Sequence, residues 1–353
     1  MNLSDLMDTA RLSDLIASHH ISQIASPDGR HWIFDYTEKA TYDRLWTPET
    51  TICRGLVVEA EPPCRVVARA FDKFHNLGES GIERASIEVV AARGTDYEVW
   101  SKMDGSMVLL WWDGRAWRTS TRGSFTSEQA RAALVWIRAH VSPWDLDPTT
   151  CYVGEWIGPD NRIVVNYPQH EWILTGARNM GTMQDAHRAE LHRIADAIGV
   201  RSCPFWIARD FSEILAAQAT ERGIEGWVLR WSDGFRVKVK TDEYFALHRL
   251  ITNLTPRRIH EALCTGAYEQ YLTALPEEYR PEAERIAGEI TSQADALATK
   301  AGAVFSDLRP LLADGRKAFA LEAVKYPDVR AYLFLMADDR PIADKVLKDC
   351  EPR

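Results

Sequence analysis

The chain has 353 residues, of which 46% are hydrophobic and 26% charged, and its formal net charge is −9. This length predicts two domains rather than one. No run reaches the ~18 consecutive apolar residues that a membrane span needs, and the negative charge argues against a protein that coats nucleic acid over its whole surface.

The six cysteines, at positions 53, 64, 151, 203, 264 and 350, form no Cys-x-x-Cys pair. Their scatter argues against a zinc ribbon or a disulfide scaffold and favours a reducing cytoplasm. Residues 1–20 have the pattern of an amphipathic, acid-bearing helix rather than that of a signal peptide.

Short β-type runs dominate residues 30–240. They are rich in β-branched and aromatic residues, and Gly, Asp and Pro separate them. The runs cover residues 31–36, 54–60, 65–71, 97–102, 106–112, 116–121, 151–157, 171–177, 226–231 and 235–240. Two helices interrupt them: residues 127–141, which begin with a serine cap, and residues 184–198, which end before Gly199. This order predicts an α+β fold in which antiparallel sheets predominate.

The pattern changes after Lys240, because apolar residues then recur at helical spacing. Only the run YLFLM (332–336) is ambiguous between strand and helix. With a boundary near residues 246–256, we predict an antiparallel-sheet domain over residues 1–248 and an all-helical domain over residues 249–353.

One lysine stands out from this framework. The phosphate-binding patterns GxxxxGK[ST] and GxGxxG and the metal pattern HExxH are absent, and most histidines and tryptophans fit surface or core roles. Lys102-Met103-Asp104-Gly105, in contrast, puts a lysine at the mouth of a predicted sheet, where burial is unfavourable unless the ammonium is paired or its charge is used. A Lys-x-Asp-Gly match alone is weak, because roughly one chain in ten of this length has one by chance.

The residues that follow this lysine strengthen the signal. Glu155 lies on a predicted strand, Glu225 opens another, and Lys238 and Lys240 end the β-rich region. Residues two apart on a strand face the same side, so Lys238 and Lys240 are paired cations. Such a pair is also compatible with a solvated sheet edge, but the ordered set indicates a lysine cluster that handles phosphate.

The ordered set resembles the nucleotidyltransferase family of ATP-dependent ligases and capping enzymes, and most of all the phage-type RNA ligases of the RNA ligase 1 family. The resemblance covers residues 30–250 and includes PDNRIV after Glu155 and the FxKFxN pattern, which DNA ligases lack. The matching segments are CRGLVVE (53–59), ARAFDKFHNLGE (68–79), SKMDGSMV (101–108), TRGSFTSEQA (121–130), GEWIGPDNRIVVNY (154–167), EGWVLR (225–230) and VKVKTDEYFALH (237–248).

The resemblance implies a three-step reaction. Lys102 attacks the α-phosphorus of ATP and becomes lysyl-AMP, the AMP passes to a 5′-phosphate on RNA, and a 3′-hydroxyl displaces it. A free lysine is only roughly 0.1% neutral near neutral pH. We therefore expect Lys238, Lys240 and a bound metal ion to lower the pKa of Lys102 well below its usual range. Asp104 would oppose this, so its carboxylate is expected to act on the turn backbone, the ribose or the metal.

The same resemblance implies roles for further side chains. Lys238 and Lys240 contact the α-phosphate, with Lys240 orienting the leaving group, and Glu225 completes the catalytic set. Arg54 and Lys73 are implied to contact the β- and γ-phosphates, and Gly105 is a further implied nucleotide contact. Glu155 and Glu225 would contact the ribose or the water shell of Mg²⁺, with Mn²⁺ as the alternative ion. Tyr244 would lie near that metal, and Trp172 would stack against adenine. Core packing is the competing interpretation of Trp172.

Arg122 departs from the family pattern, which has lysine before Gly-Ser. Arginine keeps the charge but differs in shape and hydrogen bonding, and we expect it to contact a nucleotide or RNA phosphate. The implied partner is RNA with 5′-phosphate and 3′-hydroxyl ends, with a nicked tRNA anticodon loop as the candidate. We expect a cytoplasmic monomer, phage-encoded, with no membrane association.

Other functions predict different sequence features. DNA ligases and capping enzymes normally add a small β-barrel after the last lysine pair, and NAD-dependent ligases add cysteine-rich zinc modules. Neither pattern is present. An RNA-end-binding protein of ligase fold without activity predicts loss of Lys102, Glu225 or Lys240, and all three are present. An unrelated RNA-binding module would need a basic surface, which the net charge of −9 does not indicate.

Overall fold

The computed structural model describes residues 1–79, 81–252, 254–275, 280–350 and 352. The chain divides into two compact units, Met1–Phe245 and Ala246–Arg353. The division falls inside the helix Asp242–Thr252, close to the position after residue 248 that the sequence indicates. Within the described ranges, no helix combines the length and apolar character needed to cross a membrane.

Thirteen strands form in the described part of the first unit, and every predicted β-type run overlaps one of them. The strands are β1 (Ile21–Ala25), β2 (His31–Tyr36), β3 (Arg54–Glu59), β4 (Val66–Ala68), β5 (His75–Asn76), β6 (Tyr97–Lys102), β7 (Ser106–Trp112), β8 (Trp117–Ser120), β9 (Thr150–Ile157), β10 (Glu171–Asn179), β11 (Phe205–Trp206), β12 (Gly226–Trp231) and β13 (Arg236–Lys240). The sequence missed β1, β5 and β11. Two of these have only two residues, which is too short for an alternating pattern.

Helices α1 and α2 precede β1, and α3 to α8 lie between later strands. They are α1 (Leu3–Leu6), α2 (Thr9–Ala17), α3 (Glu38–Tyr42), α4 (Pro48–Ile52), α5 (Ile87–Ala92), α6 (Glu128–His140), α7 (Arg188–Ile198) and α8 (Phe211–Thr220). The predicted N-terminal helix is interrupted at Asp8, whose side chain caps α2. Ser127 caps α6, and Gly199 ends α7 in the left-handed conformation, both as predicted. Helix α7 begins later than predicted because Ala186 still pairs with the end of β10.

The described residues of the first unit form three sheets, in the orders β1-β2-β3-β4, β10-β9-β7-β8 and β11-β6-β12-β13-β5. All their strand pairs are antiparallel except β13 with β5. Ile33 and Val57 of the first sheet share a buried cluster with Leu109 and Val153 of the second. The predicted antiparallel α+β architecture is therefore confirmed.

The described elements of the second unit are helices. They comprise the end of α9 (Asp242–Thr252) and then α10 (Pro256–Thr265), α11 (Tyr268–Ala274), α12 (Arg280–Leu308), α13 (Arg316–Ala323), α14 (Arg330–Ala337) and α15 (Ala343–Asp349). The ambiguous run 332–336 lies inside α14, where Tyr332 and Leu333 are buried in the core of this unit. The described part of this region is helical, as predicted.

Candidate active site

The pairing of strands β6, β12 and β13 brings Lys102 and Lys240 close to each other. Strand β12 lies between β6 and β13, and Gly226 is opposite Lys102 on one side and Lys240 on the other. Gly226 has φ +138°, and a Cβ at this position would lie 2.0 Å from the carbonyl oxygen of Val239. Only glycine fits there, and residues in one row across a sheet share a face. Lys102 and Lys240 therefore flank the same point on the same face.

A single buried carboxylate joins the two ammonium groups. Glu225, which immediately precedes β12, is 3% exposed. Its Oε2 lies 2.8 Å from Nζ of Lys102, and its Oε1 lies 2.9 Å from Nζ of Lys240. Charge-assisted hydrogen bonds of this length hold both lysines in fixed positions.

A cavity of about 540 Å³ opens beside this pair, within the usual size range of small-molecule sites. Eight lysine and arginine side chains line it, against two glutamates. The basic residues are Arg54, Lys73, Lys102, Arg122, Arg230, Arg236, Lys238 and Lys240, and the acidic ones are Glu155 and Glu225. In an acidic chain, this local excess of positive charge indicates a site for a polyanion.

The charge state of Lys102 differs from the prediction. Burial disfavours its ammonium, but Glu225, Glu155 and Asp104 together outweigh burial and raise the pKa of Lys102. The prediction that neighbouring cations lower this pKa is wrong for the ligand-free protein, because the group in contact with Nζ is a carboxylate. Lys102 is thus protonated until the charges around it change.

Lys238 is the lysine whose charge is suppressed. Burial, and then repulsion from Lys73, Lys102, Arg54 and Lys240, lowers the pKa of Lys238 to about 7. Its Nζ lies 5.7 Å from the ring centre of Phe74. An incoming phosphate would restore the charge of Lys238, because an adjacent anion favours the ammonium form.

Glu155 has the opposite perturbation. It lies on β9, opposite Met107 of β7 and Ile173 of β10. Burial raises the pKa of Glu155 to about 7, with Lys102 opposing the shift and Glu225 adding to it. Strongly perturbed carboxylates and lysines in one cavity are typical of functional sites.

The charged groups of Arg54 and Lys73 lie close to aromatic rings. The guanidinium of Arg54 lies 5.6 Å from the ring centre of Phe74, and its Nη1 donates to the carbonyl oxygen of Phe71. Nζ of Lys73 lies 5.0 Å from the ring of Trp46 and 5.6 Å from that of Tyr36. Arg122 lines the cavity beside them.

Asp104 does not line the cavity. Its side chain is 1% exposed, Oδ2 accepts hydrogen bonds from the backbone N–H groups of Val164 and Val165, and Oδ1 accepts one from the hydroxyl of Tyr244 at 2.7 Å. Of the roles expected for Asp104, the contact with backbone groups is the one that this arrangement shows, and a ribose or metal contact stays a prediction. The carboxylate ties the turn after Lys102 to the loop that contains residues 164–165.

Tyr244 is likewise behind the site. It is 3% exposed and does not line the cavity, and Nζ of Lys240 lies 4.6 Å from its ring centre. Its hydroxyl is directed to Asp104, and the expected place of Tyr244 near the metal, through waters, stays a prediction. Its ring packs against the ammonium of Lys240.

Trp172 is a core residue. It is fully buried, and its Nε1–H donates to the carbonyl oxygen of Val108 at 3.1 Å. Trp172 does not line the cavity, so the prediction that it stacks on adenine is wrong. The competing interpretation, core packing, is the one that the structure supports.

Sequence reasoning missed the apolar wall of the cavity, which includes Trp100, Met107 and Val228. Trp100 is two residues before Lys102 on β6 and is opposite Val228 of β12. The alternation rule that paired Lys238 with Lys240 also places Trp100 on the face of Lys102. This signal was present in the sequence.

The described residues contain no group of three or more His, Cys, Asp or Glu side chains arranged to hold a metal ion. Glu155 and Glu225 remain the acidic groups of the cavity. Two carboxylates suit Mg²⁺, which usually keeps several waters and completes its shell with substrate phosphates.

Comparison with known proteins places the chain. A sequence profile of the RNA ligase family matches residues 52–244, more than half of the chain. The chain belongs to the RNA ligase family. The matched region contains Arg54, Lys102, Glu225 and Lys240, and the resemblance to phage-type RNA ligases is confirmed.

Relatives are distant. An RNA ligase of Rhodothermus phage RM378 is 21% identical over 382 residues, covering 88% of this chain and 85% of the phage protein. An archaeal ATP-dependent RNA ligase is 17% identical with a TM-score of 0.49, covering 82% of this chain and 80% of the archaeal one. Naegleria gruberi RNA ligase with PPi is 16% identical with a TM-score of 0.43, covering 51% of this chain and 58% of the other.

Proposed function

We propose that this RNA ligase family member uses ATP to join RNA 5′-phosphate and 3′-hydroxyl ends through lysyl-AMP and RNA-adenylate intermediates. The observation that carries the proposal is the bridge from Glu225 to both Lys102 and Lys240 at a cavity lined by an excess of cations. A covalent lysine nucleophile needs its amine held beside the phosphate site.

In the first step, the ammonium of Lys102 gives one proton to solvent, and the lone pair this frees on Nζ attacks the α-phosphorus. The bond to pyrophosphate breaks, pyrophosphate leaves, and Nζ gives a second proton to solvent as the phosphoramidate forms. Lys238 and Lys240 are assigned to the α-phosphate oxygens, and Arg54 and Lys73 to the departing β- and γ-phosphates. This division suits phosphoryl transfer, which depends mostly on positioning and charge neutralisation. The apolar side chains of Trp100 and Val228 offer a surface for the base.

Glu155 and Glu225 are the residues that would hold Mg²⁺, with Mn²⁺ as the alternative ion. A divalent ion held there would neutralise the α-phosphate. It would also weaken the attraction between the two carboxylates and the ammonium of Lys102, which would lower the pKa of Lys102. The chain's own contribution is to hold Lys102 in place before its proton is lost, through the 2.8 Å contact with Glu225.

The decisive experiment is incubation with ATP labelled at the α-phosphate and Mg²⁺, followed by a denaturing gel. The wild-type protein is expected to retain label, and Lys102→Ala and Lys102→Arg to retain none, because guanidinium is not a nucleophile at neutral pH. Lys325→Ala, at an exposed lysine of the second unit, is the control and should label normally. Label retained on Lys102→Ala would refute the assignment.

The substrate class is tested with 5′-phosphorylated strands of RNA and DNA of the same sequence. Sealing of RNA but not DNA supports the RNA ligase assignment, whereas preferred sealing of DNA would favour a DNA ligase. Binding of RNA ends without labelling or sealing would identify an end-binding protein of ligase fold.

We also propose that the helical unit, residues 246–353, selects the RNA, with a nicked tRNA anticodon loop as the candidate substrate. The test compares sealing of a nicked anticodon stem-loop and of a linear single strand by the full chain and by a chain ending at residue 245. Truncation is expected to weaken only the first reaction. An equal effect on both would assign the unit a structural role.

A further inference from the structure

Strand β3 carries one extra residue opposite β2, at the edge of the cavity. Phe34 pairs with Leu56 and Asp35 with Arg54, so Gly55 has no opposite residue. Gly55 has φ +79°, and a Cβ there would lie 3.4 Å from Cα of Arg122. Such bulges redirect side chains beside active sites. This one sets Asp35 opposite Arg54 and lets the backbone at Arg122 approach β3.

Asp35 is buried beside these two arginines. It is 7% exposed, and its Oδ2 lies 2.8 Å from Nε of Arg122. Its Oδ1 is buried without a hydrogen-bond partner among the described residues. A buried carboxylate with one unpaired oxygen is unfavourable for stability. A gain in stability therefore does not explain why Asp35 is buried in contact with Arg122.

Three contacts fix the side chain of Arg122. Besides the contact of Nε with Asp35, Nη1 donates to the hydroxyl of Tyr36 at 2.9 Å, and the guanidinium lies 4.6 Å from the Tyr36 ring centre. Lys73 lies over the same ring. Tyr36, Arg54, Lys73 and Arg122 all line the cavity. Because arginine has five N–H donors, these contacts leave donors for a phosphate.

We propose that Asp35 is a positioning residue that fixes the guanidinium of Arg122 for the phosphates of ATP, an inference that rests on the proposed function. A flexible arginine loses rotamer freedom when it binds, and a side chain already held in place loses less. The contact requires an acceptor atom at the position of Oδ2 rather than a negative charge. Asparagine therefore satisfies it, and alanine does not.

Two effects of Asp35 are separable. If its charge mattered most, Asp35→Asn would leave Arg122 more strongly positive and would lower KM for ATP. If position matters most, Asp35→Ala raises KM, and Asp35→Asn stays close to the wild type. The second pattern is the one that we infer.

The experiment measures KM for ATP and kcat of enzyme–AMP formation for Asp35→Ala, Asp35→Asn, Arg122→Ala and the double variant Asp35→Ala/Arg122→Ala. Asp35→Ala is expected to raise KM about 5- to 10-fold with kcat within about twofold of wild type. Asp35→Asn should stay within about twofold in both, and the double variant should match Arg122→Ala alone. The unfolding midpoint of each variant is recorded in parallel.

Additive effects in the double variant, an unchanged KM for Asp35→Ala, or equal effects of Asp35→Ala and Asp35→Asn would overturn the inference. Should Asp35→Ala fail to fold, Arg122→Lys decides, because it keeps Asp35 and the charge but loses the guanidinium fork. Its KM should rise to a similar extent, and an unchanged KM would contradict the inference. A wild-type protein that forms no AMP adduct would instead contradict the proposed function.

Discussion

The ammonium of Lys102 lies 2.8 Å from Oε2 of Glu225, whose other oxygen is 2.9 Å from Nζ of Lys240. The proposed nucleophile and its neighbouring cation are therefore held by one carboxylate. This carboxylate is the main group that raises the pKa of Lys102.

Glu225→Gln should shift the pH dependence of enzyme–AMP formation. Loss of the charge lowers the pKa of Lys102, so the neutral amine is populated at lower pH, and the rising limb of the rate profile moves to lower pH. The maximal rate should fall about 10²-fold, since both lysines lose their ionic anchor. Rates measured from pH 6 to 9.5 test this, with Glu88→Gln, at an exposed carboxylate, as control. An unmoved profile would show that another group sets the pKa of Lys102.

Glu155→Gln should increase stability and abolish activity. The pKa of Glu155 is raised from 4.5 to about 7 in the folded protein, so the fold binds this proton more tightly than the unfolded chain does. The resulting penalty develops as pH rises from 4.5 to about 7 and is complete above that. At pH 8 the variant should unfold with a free energy higher by about 1–3 kcal/mol. Urea unfolding at pH 4.5 and pH 8 tests this, and a difference that does not grow with pH would contradict it.

ATP binding should be accompanied by proton uptake at Lys238. Because its pKa is lowered to about 7, this lysine is mostly neutral at pH 8 in the free protein, and an adjacent phosphate returns its charge. Calorimetry at pH 8 in buffers of different ionisation enthalpy, with an ATP analogue whose α–β bridge is not cleaved, measures the uptake. When it binds the analogue, the Lys238→Met variant should take up fewer protons than the wild-type protein, with a difference of at most about one proton. Equal uptake by both proteins would exclude Lys238 as the group.

Trp172 and Trp100 form a matched pair for the base site. Trp172→Phe removes a buried hydrogen bond and part of the core, so it should lower the free energy of unfolding by about 1–3 kcal/mol and leave KM for ATP within about twofold. Trp100→Leu, at the cavity wall, should raise KM. A selective rise in KM for Trp172→Phe would restore the original prediction for that residue.

The strands and the lysine cluster were predictable because their signals are local. Alternation over a few residues sets the face of Lys238 and Lys240, and it equally places Trp100 with Lys102. The Ser127 cap and the Gly199 stop depend only on adjacent backbone. Family motifs then selected Lys102, Glu225 and Lys240 from the many charged residues of the chain.

Partners brought from distant positions were not predictable in this way. Glu225 is far from Lys102 in sequence and meets it only because β12 pairs with β6 in one register. Asp104 is turned to Val164 and Val165, and Asp35 to Arg122 through the extra residue at Gly55. Sequence alone determined which residues are the candidates for the chemistry, since strand periodicity and motif order are properties of short segments. Tertiary structure decided their charge states and whether Trp172 faces the cavity, because both depend on atoms that only chain folding brings within a few ångströms.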